Sequence, residues 1–196
     1  MSGHQDSQDV PRDGVAAGEQ EALFPEQDVL PIAEDIGYRG PVVCKAVGIT
    51  YRQLDYWART DLVVPSIRPA AGSGTQRLYS FRDILFLRIV KRLLDTGVGL
   101  SNVRAAILHL SDRGVTDLAQ ITLMSDGASI YECRSNDEVI DLLRGGQGVF
   151  GIAVGQVFHE VEGSLSELPG ITPEGQSVTP EGMVDELAHR RARKIG

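Results

Sequence analysis

Apolar residues recur at helical spacing four times in the middle of the chain, and these runs carry helix boundary signals. Helices are predicted over residues 41–47, 51–60, 81–95 and 101–110. Thr50 with Gln53, and Ser80 with Asp83, fit the capping box, in which two side chains satisfy the first free N–H groups of a helix. Pro41 suits the first turn of the first helix, because a helix leaves that N–H unpaired anyway. Ser101 is the predicted cap of the fourth helix.

The second predicted helix has two distinct faces. One face is predicted to point inward and holds Tyr51, Leu54 and Ala58. The other face carries Arg52, Tyr56 and Arg59, which recur at i, i+4 and i+7. Two basic groups and one aromatic group on one helical face can reach phosphates or base edges of a nucleic acid.

A stretch without helical period, residues 62–79, separates the second and third helices. Its β-prone runs, 63–67 and 76–79, flank a tip rich in proline, glycine and serine, which predicts a β-hairpin with Arg68 and Arg77 at its shoulders. Helix, tight turn, helix and hairpin together predict a winged helix-turn-helix.

The pattern changes after Gly114, which is predicted to end the fourth helix. β-like runs at 121–124 and 129–133 flank a turn and predict a hairpin. A helix is predicted over 137–143, after a cap at Ser135 or Asn136. The apolar run 149–154 predicts a buried strand, and helical spacing follows over 157–168. These elements predict a small α/β domain for effector binding or dimerisation.

The predicted fold class is therefore α+β, with four parts. They are an acidic disordered tail (1–37), the winged helix-turn-helix (38–113), the small α/β domain (115–168), and a flexible tail (169–196) that ends in a basic helical stretch over 184–194.

Charge is distributed unevenly among these parts. The net charge of the whole chain is −8, with −8 in residues 1–37, +7 in residues 38–113 and −7 in residues 114–196. A basic segment between two acidic ones indicates a polyanion as the partner of the middle segment, although a solvated basic face is the simpler alternative.

Other chemistry finds little support in the residues. Cys44 and Cys133 have no partner at metal-ligand spacing, and the four histidines are scattered. Residues 146–151 match G-x-G-x-x-G, but they follow a helical pattern and precede a strand-like one, the reverse of a dinucleotide site, so a tight turn is favoured. We therefore expect no enzyme activity, metal or cofactor. We also expect a cytoplasmic protein at the nucleoid, because the sequence shows no signal peptide and no membrane-length apolar run.

Two runs of the middle segment carry a family resemblance. GITYRQLDYWARTDLVVPSIR, followed by QRLYSFRDILFLRIVKRLLDTGVGLSNVRAAI, resembles the MerR family of bacterial transcription regulators in the order and spacing of its motifs. The resemblance covers residues 38–110 and is closest to an actinobacterial subgroup. It implies a recognition helix and a wing that together bind promoter DNA.

The resemblance also implies roles for individual residues. Arg52 matches the recognition-helix arginine that contacts DNA in the family, Tyr56 and Trp57 match its aromatic pair, and Arg77 and Tyr79 match the wing arginine and the tyrosine behind it. Trp57 is the more natural core anchor of the pair. The predicted DNA-binding residues are Arg52, Tyr56, Arg59, Arg68, Arg77 and Tyr79.

The sequence also departs from the family. Asp55 stands where many members have arginine, and Gln76 stands where many have tyrosine. The long dimerisation helix that family members place after the fourth helix is missing, because Gly114 interrupts it. We therefore place the contact of a homodimer in residues 115–168, where the apolar runs could instead form only the domain's own core.

The leading hypothesis is a sequence-specific regulator of the MerR type that binds double-stranded promoter DNA, with RNA polymerase as a further partner and an unidentified effector. The alternatives are a protein-interaction adaptor, which Asp55 and the acidic flanks favour, and a ligand sensor. Both would retain the winged-helix scaffold.

Overall fold

The structure is a computed structural model that describes residues 35–69, 76–146 and 150–178. Its elements in chain order are β1 (Tyr38–Arg39), α1 (Gly40–Val47), α2 (Tyr51–Arg59), β2 (Leu78–Tyr79), α3 (Phe81–Asp95), α4 (Leu100–Leu110), α5 (Val115–Ala119), β3 (Thr122–Ser125), β4 (Ile130–Cys133), α6 (Asn136–Arg144), β5 (Phe150–Ala153), α7 (Val154–Ser166), β6 (Gly170–Ile171) and β7 (Ser177–Val178).

The first three helices begin and end where local chemistry predicts. Both capping boxes are present: the Thr50 hydroxyl accepts the Gln53 N–H at 3.2 Å, and the Ser80 hydroxyl accepts the Asp83 N–H at 3.1 Å. Gly48 ends α1 in the left-handed conformation, with φ of 73°, which glycine adopts without a steric penalty. The turn between α1 and α2 is therefore fixed by residues within or next to it.

The fourth helix ends at Leu110 as predicted and differs from its prediction at its start. It starts at Leu100 with Gly99 as its N-cap, so Ser101 lies inside the first turn and does not cap the helix. Gly114 is the N-cap of a further short helix, α5, which the sequence did not predict. Five residues give too little periodicity for a helix to be recognised from sequence.

Of the predicted hairpin over residues 62–79, the described residues form the base. Arg68 and Leu78 exchange backbone hydrogen bonds of 3.0 and 3.1 Å, and residues 70–75 lie outside the described part of the chain. The run 63–67 is not a strand, because the Leu62 N–H donates to the Trp57 carbonyl at 2.9 Å and the chain is still turning away from α2 there. β2 pairs instead with β1.

The C-terminal elements form a three-stranded antiparallel sheet in the order β4-β3-β5, with α7 following β5 directly. The predicted buried strand over 149–154 is wrong in two respects. β5 is an edge strand in which only Ile152 is buried, and Val154 already belongs to α7. Residues 147–149 lie outside the described part.

Residues 169–178 were expected to be flexible, yet they form the hairpin β6–β7. Ile171 exchanges two backbone hydrogen bonds with Gly37, each of 2.8 Å, so this hairpin is joined to the start of the described chain. The predicted basic stretch over 184–194 and residues 1–34 of the predicted acidic tail lie outside the described residues.

One apolar core runs from α1 to α7. α3 lies at its centre and packs against α1, α4 and α7. The Phe81 and Phe158 rings meet edge to face, with centroids 4.9 Å apart. At the same contact, Glu160 on α7 accepts hydrogen bonds from Arg92 at 2.6 and 2.8 Å and from Arg88 at 3.4 Å. Residues 38–113 therefore share their core with the elements that follow them.

Candidate nucleic-acid interface

α2 is fixed to the body of the protein by its apolar face. Leu54, Trp57 and Ala58 are buried, and the single tryptophan is only 4% exposed. Trp57 is thus a core anchor rather than a surface aromatic. At the C-terminal end of the helix, Arg104 donates to the Thr60 carbonyl at 2.5 Å, which satisfies one of the carbonyls that a helix end leaves free.

The opposite face of α2 is open to solvent. Arg52 and Arg59 are exposed, and Tyr56 is 46% exposed. Tyr51 is also exposed, at 62%, although the sequence pattern placed it on the inward face. As the first residue of the helix, Tyr51 precedes the turn that packs against the core, and this is why the periodicity was misleading.

Asp55 joins α2 to the base of the hairpin. Its Oδ1 accepts a hydrogen bond from Arg77 at 2.8 Å, and its Oδ2 lies 3.0 Å from the Nε of Arg59. The hydrogen bond to Asp55 raises the pKa of Arg77 above its ordinary value. The carboxylate that stood out in the sequence as a departure therefore brings together two of the predicted DNA-binding arginines.

The other hairpin arginine, Arg68, is exposed and lies opposite Leu78 in the backbone pair at the hairpin base. Arg77 precedes Leu78 on the returning side. Both arginines therefore belong to the same short paired segment, and the link through Asp55 places that segment beside α2.

Tyr79 is placed differently from its prediction as a DNA contact. It is fully buried, and its hydroxyl has no hydrogen-bond partner among the residues that the structure describes. Burial raises the pKa of Tyr79 to about 12. A residue in this position supports the hairpin from the core and cannot touch a ligand at the surface.

A buried carboxylate, whose contact with Ser66 the sequence did not predict, holds the segment after α2. Asp83 Oδ2 accepts hydrogen bonds from the Ser66 N–H at 2.8 Å, the Ser66 hydroxyl at 2.9 Å and the Ser80 N–H at 2.9 Å. Burial raises the pKa of Asp83 despite these donors. The capping box identified the local role of Asp83 on α3, but Ser66 lies seventeen residues away and had no signal in the sequence.

A concave surface lies between α4 and the β3–β4 hairpin, with a volume of about 380 Å³. Glu132 at its edge accepts hydrogen bonds from Arg113 at 2.8 Å and Arg134 at 2.7 Å and lies 3.1 Å from His109. Burial acts to raise the pKa of Glu132, but these neighbours lower it overall. The carboxylate is already satisfied by protein donors, which leaves little polar capacity for a ligand.

Among the described residues, no group of three or more histidine, cysteine, aspartate or glutamate side chains is placed to hold a metal ion. The described helices also include none that is long and apolar enough to cross a membrane.

Comparison with known proteins shows similarity to a family of transcription regulators. Residues 38–110 match the family described as "MerR HTH family regulatory protein". Two relatives, from Mycobacterium bovis and Mycobacterium tuberculosis, are each named as an uncharacterized HTH-type transcriptional regulator. Each is 59% identical over 192 residues, which cover 94% of this chain and 83% of the relative.

Proposed function

The chain belongs to the MerR family of helix-turn-helix transcription regulators, and from this premise we propose that it recognises particular promoter sequences with α2 and the 68–78 hairpin, which acts as a wing. The observation that carries the proposal is the solvent-exposed face of α2, with Arg52 and Tyr56 one helical turn apart, beside a hairpin tied to it through Asp55.

This surface suits a duplex in two ways. A helix with exposed basic and aromatic side chains fits the major groove, where Arg52 can reach a base edge or a phosphate. Arg68 and Arg77 on the wing suit the flanking backbone or minor groove. In this proposal the contact residues are Arg52, Tyr56, Arg59, Arg68 and Arg77, and Tyr79 supports the wing from the core.

The parts of the chain also have separate proposed roles. We propose that residues 38–113 bind DNA, that residues 115–168 serve dimerisation or effector sensing, and that the protein acts in the cytoplasm as a regulator and not as an enzyme. RNA polymerase as a partner, and an effector, stay predictions.

The dimer contact is best supported at α6. The apolar runs that first suggested a dimer in this region are used by the core, since Ile121, Leu123 and Ile152 are buried. On α6, by contrast, Ile140 is 42% exposed and Leu143 is 52% exposed. A homodimer that packs two copies of α6 across a two-fold axis would cover this apolar face.

The DNA proposal is tested by measuring the affinity of Arg52→Ala for a promoter fragment and for random duplex. The fragment is one that the wild-type protein selects from its own genomic DNA. If Arg52 contacts a base, the affinity for the promoter fragment weakens by about 1–3 kcal/mol. If Arg52 contacts only a phosphate, the affinities for both duplexes weaken, and the slope of log affinity against log salt concentration (the salt slope) becomes shallower by about one.

Arg134→Ala removes an arginine whose side chain is 61% exposed, between β4 and α6, and is the matched control, expected to bind as the wild type does. Unchanged DNA binding by a folded Arg52→Ala protein contradicts the assignment of the recognition face. If the wild-type protein binds no promoter more tightly than random DNA, the adaptor alternative is favoured. The ion pairs of Asp55 with Arg59 and Arg77 also favour that alternative.

The dimer proposal is tested by sedimentation of the full chain at micromolar concentration. We expect a dimer for the wild type and a monomer when Ile140 and Leu143 are both replaced by glutamine. A monomeric wild type, or a variant that still dimerises, excludes α6 as the contact.

A further inference from the structure

We propose that Asp55 determines which DNA sequences the protein binds. In the free protein its carboxylate pairs with Arg77 and Arg59 as a DNA phosphate would, so that DNA without the matching bases binds less tightly. The inference rests on the proposed function, because it concerns how the α2 and wing surface distinguishes one duplex from another. It adds a role for a residue that was not among the predicted contacts.

The geometry gives each oxygen of Asp55 its own arginine. Oδ1 meets Nη1 of Arg77 on the hairpin at 2.8 Å, and Oδ2 meets Nε of Arg59, one turn further along α2, at 3.0 Å. The carboxylate therefore lies between the two elements that the proposal places on DNA. A bridging anion with an arginine on each side is also the arrangement that a DNA phosphate forms with protein donors.

The two pairs differ in how easily they can be exchanged. The Arg77 side chain is only 21% exposed, and its hydrogen bond to Asp55 is partly buried, which makes a charge-assisted contact expensive to break. The Arg59 side chain is 67% exposed, and solvent-exposed i,i+4 pairs are weak. On binding DNA, Arg59 can therefore leave Asp55 for a phosphate, while Arg77 stays anchored to it.

Asp55 then acts in two opposite ways on affinity. Its negative charge on the DNA-facing side repels phosphates, and it competes with them for Arg59, a cost that every duplex bears regardless of sequence. Its bond to Arg77 fixes the direction of the wing, a benefit realised only where Arg77 meets a matching site. Removing the charge should therefore strengthen random binding and weaken selectivity together.

The experiment compares Asp55→Asn with Asp61→Asn in the full-length protein. Asparagine keeps the shape of the side chain but loses its charge. Asp61 is exposed just beyond the end of α2, and its φ of 53° is one that asparagine also adopts. The control thus makes the same change in net charge near the same helix without touching Arg59 or Arg77. The probes are random-sequence duplex and the promoter fragment that the wild-type protein selects from genomic DNA.

For Asp55→Asn we expect tighter binding of random duplex, since Arg59 no longer has to leave a carboxylate to reach a phosphate and the negative charge that repels phosphates is gone. We expect the ratio of promoter to random affinity to fall about tenfold, within the range that one lost base contact costs. Asp61→Asn should leave that ratio unchanged. Thermal unfolding checks that each variant is folded, and Asp55→Ser replaces Asp55→Asn if the latter is not.

The proposal requires both changes. It is overturned if the promoter-to-random ratio of Asp55→Asn stays at the wild-type value, if random binding does not tighten, or if Asp61→Asn reproduces both effects. A wild-type protein that selects no promoter fragment overturns the proposed function itself, an outcome that is distinct because it appears before any variant is compared.

Discussion

α2 and α6 have similar sequence patterns, but α2 packs against the core and α6 leaves its apolar residues exposed. Each has nine residues, each is amphipathic, and each begins with a hydroxyl side chain, of Thr50 or Ser135, that accepts an N–H three residues later. α2 buries three side chains, whereas none of the α6 residues is buried against the part of the chain that the structure describes.

The difference teaches that local signals decide where a helix begins but not what holds it. α2 is anchored by a tryptophan in the core, by Arg104 at its end and by Asp55 at its side. α6 contacts mainly β4, at the edge of the sheet. A rigid α2 suits a surface that must present side chains in fixed directions, and an apolar face left open on α6 suits a contact with another molecule.

The largest expected effect separates the two apolar faces. Trp57→Ala should lower the free energy of unfolding by about 3–5 kcal/mol, because it leaves a cavity under α2. Leu143→Ala should change it by about 0.5 kcal/mol or less, as is usual for surface positions. Denaturant unfolding of both variants at a concentration where the protein is monomeric measures this; equal losses would show that α6 is as well anchored as α2.

A smaller effect is expected from the helix caps. Thr50→Ala should lower the free energy of unfolding by about 1 kcal/mol, because α2 cannot lose its first turn without disturbing the core. Ser135→Ala removes the same kind of bond, but α6 can fray alone, so its main result should be faster amide hydrogen exchange within α6. Global unfolding monitored together with exchange distinguishes the two, and equal global losses would contradict the comparison.

The smallest effect on stability near neutral pH is expected at Tyr79, which is buried behind the base of the hairpin. Tyr79→Phe removes a buried hydroxyl without a partner among the described residues, so we expect a stability change near zero and unchanged DNA binding. A pKa raised to about 12 means that the fold favours the protonated phenol. The preference of the folded state for the protonated Tyr79 phenol contributes in full to stability below about pH 10, the ordinary tyrosine pKa. As the pH rises from 10 towards 12, the unfolded chain releases this proton first, and the protein loses that part of its stability.

Unfolding of the wild type and Tyr79→Phe at pH 8 and pH 11 measures this loss. The variant should lose less stability than the wild type at the higher pH. Tyr51→Phe, at an exposed position of α2, is the control and should behave as the wild type does. Identical losses in the wild type and Tyr79→Phe would show that the buried phenol does not contribute.

The sequence predicted the parts of the fold that depend on neighbouring residues. α1, α2 and α3 start at a proline or a capping box and stop within a residue of where the pattern ends. The pairing of β1 with β2, and of Gly37 with Ile171, depends on residues far apart in the chain and had no local signal.

The same limit applies to the candidate site. Arg52 and Tyr56 could be assigned to an exposed face because helical spacing fixes faces. Tyr79 could not be placed in the core, since an aromatic residue of a short strand fits either side. The bond between Asp55 and Arg77 joins residues twenty-two positions apart, so the sequence showed only that an acid occupies an unusual position.

The bridge between Gly37 and Ile171 has a consequence for the order of events during synthesis. A ribosome delivers α2 and the base of the hairpin early, but Gly37, just before β1, stays without this partner until Ile171 emerges. At the usual pace of translation this delay is on the order of ten seconds. For that time the backbone N–H and C=O of Gly37 lack the partner that the β6–β7 hairpin later supplies.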